Sequence, residues 1–179
     1  MNPSTSSAKI LIATDIVSDA MLIETLLKAE FKHVFISADP LQAVEDFEKH
    51  HPDVLVLAFN ELGKSEHYYL ELYRLCQGIH LNPPRSIILC NKDEVKRAYE
   101  LCRKDCFDDY ILFWPMTFDA SRLLMSVHNA LRELAAIRSS VPSATEFAIP
   151  ARHMGELEPM LNHQLEQGKQ HIEASSRAM

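Results

Sequence analysis

Apolar residues fall along this chain in two rhythms. Short apolar runs stand at 9–13 (KILIA), 34–37 (VFIS), 54–59 (VLVLAF), 86–90 (SIILC) and 110–113 (YILF). Runs this short, with no interior charge, suit strands of a parallel sheet covered on both faces. Between them apolar positions recur every three or four residues, which predicts amphipathic helices. The first covers 19–28, with Met21, Leu22, Leu26 and Leu27 inward. The second follows Asp39 as N-cap and Pro40 as first helical residue, with Leu41, Val44 and Phe47 inward. The third covers 69–76 with Leu70, Leu72, Tyr73 and Leu75, and the fourth 93–104 with Val95, Ala98, Tyr99 and Cys102. The fifth covers 119–137 with Leu123, Leu124, Val127, Ala130, Leu131 and Leu134. Strands alternating with helices predict an α/β fold, a doubly wound five-stranded parallel sheet. Such sheets bind ligands at the carboxyl ends of their strands. Those ends are Thr14-Asp15, Ala58 to Asn60, Cys90-Asn91 and Trp114-Pro115.

The pattern divides the chain into a disordered lead-in at 1–8, an α/β domain at 9–137, a Ser/Pro-rich linker at 138–152 and an extra C-terminal helix at 153–179. In that helix Met154, Leu157, Leu161, Leu165, Gly168 and Ile172 share one stripe. Leu157, Leu161, Leu165 and Ile172 are expected to dock a partner or a second copy, because an apolar stripe must be buried somewhere. The alternative is that it folds back on its own domain.

Charge and composition exclude several classes. Of 179 residues, 18 are Lys or Arg and 25 Asp or Glu, a net charge of −7. This balance disfavours nucleic acid and acidic membrane surfaces as partners. No apolar run reaches membrane-spanning length, and the N-terminus lacks a signal pattern, so a cytoplasmic location is expected. The four Cys fit reduced thiols there. The four Gly form neither a dinucleotide fingerprint nor a P-loop. No enzymatic activity, cofactor or metal is expected.

The segments KILIATD (9–15), PDVLVLAFNELG (52–63), SIILCNKDEV (86–95) and DDYILFWPM (108–116) resemble, in order and spacing, a response-regulator receiver (CheY-like) domain. The resemblance implies a sheet whose third strand ends in a phospho-accepting Asp. It also implies an acid pair after strand one that binds Mg²⁺, a Thr or Ser ending strand four, and a Lys before the Pro after strand five. In this chain the acid pair is Thr14-Asp15, the acceptor position holds Ala58, the hydroxyl position Cys90 and the Lys position Trp114. Asn60 stands where the family's backbone carbonyl helps hold Mg²⁺, and Leu62 replaces the loop Pro. A methyl group is no nucleophile, one carboxylate is a poor Mg²⁺ site, and an indole carries no positive charge. The sequence reads as a degenerate pseudo-receiver.

Blander roles stand beside these. Asp15 is expected to cap the next helix or accept loop N–H bonds rather than keep a metal. Cys90 is expected to pack as a small hydrophobe rather than sense redox state. Cys102 and Cys106 lie a turn apart if their helix extends that far, without the partners a zinc site needs. His50 and His51 suit the dipole at a helix end. Phe113, Trp114, Met116 and Phe118 either fill the volume of the lost site or form a patch for a partner.

In the family, signals leave through the face of helix four, strand five and helix five, here about 93–105, 110–113 and 119–137. The expected function is therefore a phosphorylation-independent signalling module of two-component type, acting by protein partners or homodimerisation. Tyr99, Phe113 and Trp114 are candidate contacts. Two alternatives are a small-ligand sensor using the vacated site and the regulatory part of a larger signalling protein.

Overall fold

The computed structural model describes residues 7–114 and 119–140. Five strands, β1 (Lys9–Ala13), β2 (His33–Ser37), β3 (Val54–Leu57), β4 (Arg85–Asn91) and β5 (Asp109–Trp114), form one sheet in the order β2-β1-β3-β4-β5. All pairs are parallel. The helices are α1 (Val17–Lys28), α2 (Ala43–His50), α3 (Leu62–Leu75), α4 (Val95–Arg103) and α5 (Ala120–Ser140), with a single helical turn at Gly78–Leu81. The doubly wound sheet is as the pattern predicts. Residues 138–140, assigned to the linker, are helical. The rest of the linker and the helix at 153–179, with Leu157, Leu161, Leu165 and Ile172, lie outside the described residues, as do Met116 and Phe118. The sheet domain is a compact unit closing at Ala136.

The strands are apolar throughout because alternate side chains enter two separate cores. Ile10, Ile12, Val54, Val56, Ile87 and Leu89 join Ile23, Leu27, Leu123 and Val127 of α1 and α5. Leu11, Leu55, Leu57, Ile88 and Cys90 join Phe47, Leu72 and Ala98 of α2, α3 and α4. Both faces of β1, β3 and β4 are covered, so the two-residue period of a half-exposed strand is absent from those segments.

Three helix faces differ from expectation. On α1 Met21 is exposed and Ile23 takes the inner position. Leu41 is 94% exposed. A 3₁₀ turn, Pro40–Gln42, precedes α2, capped by Asp39, whose carboxylate accepts the Leu41 N–H at 3.0 Å. That tighter turn points Leu41 away from the core. Helix α3 starts at Leu62 rather than 69, and Leu62, Ser65, Tyr68 and Leu72 form its buried stripe. Leu70 and Leu75 are then exposed.

At the opposite end of the sheet Asp108 and Asp109 fix β5. Asp108 accepts the Ser86 N–H at 2.7 Å and pairs with Arg85. Asp109 accepts Arg122 at 2.8 Å and Ser126 Oγ at 2.6 Å.

Candidate functional site

The strand order turns at β1, whose neighbours β2 and β3 lie on either side, so the crevice falls between the ends of β1 and β3. Thr14 and Ala58 meet there. Ala58 is fully buried. Its N–H donates to the Ala13 carbonyl at 2.8 Å, and its carbonyl accepts Thr14 Oγ1–H at 2.8 Å. Thr14 Oγ1 also accepts the Ile16 N–H at 3.0 Å. Thr14 therefore does the loop-capping work expected of Asp15, closing a side-chain turn before α1.

Asp15 instead pairs with Lys64 on α3, Oδ2 to Nζ at 2.7 Å, and Lys64 also reaches Glu61 at 3.5 Å. The contact with Asp15 raises the Lys64 ammonium above its ordinary pKa, first through the hydrogen bond and then through charge. The Asn60 carbonyl accepts Asn91 Nδ2–H at 3.0 Å. Glu94 accepts the Leu62 N–H with both oxygens, at 3.0 and 3.2 Å, and Asn91 Nδ2–H at 3.1 Å. Glu61, the N-cap of α3, makes no side-chain cap bond, so α3 is capped across space by Glu94. Asn91 Oδ1 in turn accepts the N–H groups of Asp93 and Glu94, at 2.9 and 3.1 Å.

This donor set does not fit Mg²⁺. The single carboxylate after β1, Asp15, is paired with Lys64, Ala58 offers carbon, and the Asn60 carbonyl already holds an amide. Among the described residues no group of three or more His, Cys, Asp or Glu side chains could hold a metal ion.

Trp114 is half-buried. Its Nε1–H donates to Asp19 Oδ2 on α1 at 3.1 Å, and its ring meets Phe113 edge-on at 4.8 Å. A register shift between β4 and β5 lies beside it, pairing Cys90 with Leu112 and Asn91 with Trp114. Phe113 is fully buried in the α1/α5 core, which corrects its assignment to a partner surface. Its side chain shares the inward face with Ile111, and Leu112 between them points outward. Tyr99 and Leu112 are the exposed apolar groups on α4 and β5. Cys90 is buried, and burial, with the Glu94 charge second, pushes its thiol up to about 11. Cys106 lies beyond the end of α4, not on it. His50 stacks on Phe35 at 3.8 Å, and burial, then Lys49, lowers its pKa. Its ring packs on the sheet at the last turn of α2.

A cavity of about 480 Å³ runs between α2 and α3, lined by Leu41, Val44, Phe59, Tyr68, Glu71 and Leu75 among others.

Lys64, Glu94 and Asp19 escaped the sequence reading, and Asn91 entered it only as a strand end. Asn91-Lys-Asp-Glu94 has capping-box spacing, which marks Glu94 as a capping acid but not that it caps a different helix. Nothing local in the sequence links Lys64 to Asp15 or Asp19 to Trp114.

Comparison places this geometry among known folds. No family model matches the chain, and no curated protein does. Solved receiver domains do. The Francisella response regulator 1452 receiver domain matches with TM-score 0.56 and 19% identity, covering 71% of this chain and 98% of that one. The signal receiver domain of a putative Luxo repressor protein from Vibrio parahaemolyticus matches with TM-score 0.58 and 19% identity, covering 75% and 98%. A response regulator receiver domain protein from Clostridium thermocellum matches with TM-score 0.57 and 21% identity, covering 73% and 98%. The fold is that of a receiver domain.

Proposed function

We propose that this chain is a phosphorylation-independent signalling module of two-component type, which passes information through protein contact rather than by group transfer. The supporting observation is Ala58. Its methyl group stands at the end of β3, fully buried, where the receiver fold carries its acceptor acid. The surroundings agree. Lys64 neutralises Asp15, and Asn91 and Glu94 tie the loop after β3 to the loop after β4. Receivers switch by rearranging such loops around a new phosphoryl charge, and here bonds internal to the chain occupy the same positions. The module has no catalytic step of its own in this reading.

The output face is α4, β5 and α5. On it β5 is an edge strand, Leu112 is 46% exposed and Tyr99 is 50% exposed. Exposed apolar groups on adjacent elements mark contact surfaces. A homodimer or a partner of the same signalling pathway covers them. Incubation with acetyl phosphate and Mg²⁺, read by intact mass, tests the reading. The expected spectrum is unchanged, and a gain of one phosphoryl mass overturns it.

A further inference from the structure

The spacing Cys102-Arg-Lys-Asp-Cys106 plays no part in the signalling reading. Cys102 is the penultimate residue of α4, and Cys106 lies just past its end. Two hydrogen bonds fold the chain back between them. The Asp105 N–H donates to the Cys102 carbonyl at 3.0 Å, and the Cys106 N–H donates to the Leu101 carbonyl at 3.0 Å. Asp105 stands in the left-handed region, at φ 57°, to make this closure. A continuing helix would bond the Cys106 N–H to the Cys102 carbonyl, so the closure carries Cys106 one carbonyl further back. Helix positions four apart already lie about 6 Å apart between Cα atoms, within the roughly 4.4–6.8 Å that a disulfide spans.

Exposure orders the two thiols. Cys106 is exposed, and its Sγ–H turns back to the Lys104 carbonyl, 3.9 Å away. Cys102 is half-buried against the core that holds Ala98, Cys90 and Phe107. The two are near enough for the charge of one to act on the other. We propose that Cys102 and Cys106 are a dithiol redox site, which reacts with small-molecule disulfides of the glutathione class and closes to an intramolecular disulfide. The Cys106 thiolate attacks one sulfur of the reagent, whose S–S bond breaks and releases a thiolate with the electron pair. The Cys102 thiol gives its proton to solvent and attacks Cys106 Sγ, breaking the mixed S–S bond and releasing the second thiolate. The protein loses two hydrogens, and the small disulfide becomes two thiols. Burial, with Asp109 and Asp108 adding to it, keeps Cys102 protonated, so the second step is the slower. The site lies one turn from Tyr99 on α4 and does not depend on what covers that face.

The test treats the full chain, dilute and fully reduced, with glutathione disulfide at about pH 8. The product is alkylated in denaturant and digested after Arg and Lys. Cleavage at Arg103 and Lys104 leaves the two cysteines on separate peptides, so only a bond between them joins those peptides. The wild type should lose two hydrogens, carry no glutathione and give the joined pair, and a dithiol reductant should reverse all three. Cys102→Ser should hold one glutathione at residue 106 and give no joined pair. Cys106→Ser should react at least tenfold more slowly than the wild type. A wild type that keeps glutathione on Cys106 beside an alkylated Cys102 overturns the proposal. So do a bond between the Cys106 residues of two chains and a wild type that does not react.

Discussion

A thiol enclosed by carbon resists ionisation, and only the thiolate reacts. Burial holds Cys90 at about 11, and burial with the nearby Asp109 and Asp108 carboxylates holds Cys102 at about 12. Cys76 is buried, whereas Cys106 is exposed. In native protein near pH 8, a disulfide-exchange reagent should therefore titrate Cys106 fast, and Cys106→Ser should remove the fast phase. A fast Cys90 would restore the redox reading of this strand end. Tyr68 follows the same physics in a hydroxyl. Burial raises its pKa from 10.0 to about 12. An acid whose folded pKa is raised contributes stability that is complete below its unfolded pKa and is lost as pH climbs through the folded one. The window is thus about pH 10 to 12, and the loss reaches about 2–3 kcal/mol. Tyr68→Phe should be about 1 kcal/mol less stable at neutral pH, for want of the bond to Ser37. It should overtake the wild type inside that window. Urea denaturation at stepped pH reads both effects, and parallel curves would refute the assignment to Tyr68.

Helix α3 starts early because an acid from another element caps it. Glu94→Ala leaves the Leu62 N–H without its carboxylate partner and should cost about 1–2 kcal/mol in chemical denaturation. Glu94→Gln keeps an accepting oxygen and should recover part of that. Amide exchange at Leu62 should quicken in the Ala variant, while exchange in the β1 ladder should not. This contact also explains how far sequence carried the element boundaries. The strands were legible because each is a continuous apolar run, and α5 because a single long stripe marks it. The start of α3 was not legible, since it depends on a carboxylate thirty-two residues away. The inner face of α2 was misread at Leu41 because periodicity assumes an α-helical turn where the chain makes a 3₁₀ one. The site divides the same way. Ala58, Thr14 and Trp114 could be read as departures from a motif. The Lys64–Asp15, Trp114–Asp19 and Asn91–Asn60 contacts are products of tertiary packing and leave no local trace.

At the scale of the whole molecule, apolar attraction on one face competes with a repulsive net charge of −7. If α4, β5 and α5 form the seam between two copies, the two effects separate under salt. Screening shortens the reach of the like charges to roughly 8 Å at physiological ionic strength and about 3 Å at 1 M, while apolar burial is untouched. Sedimentation equilibrium should then show a dimer that tightens as salt rises, opposite to an interface built on ion pairs. Tyr99→Asp and Leu112→Asp each place a charge in the seam and should weaken association at least tenfold, about 1.4 kcal/mol or more. Acetyl phosphate with Mg²⁺ should leave the constant unchanged, because no acceptor at residue 58 exists to couple charge to the face. A dimer indifferent to both substitutions would place the seam elsewhere. A dimer that tightened with acetyl phosphate would mean that another group had taken over the chemistry Ala58 cannot perform.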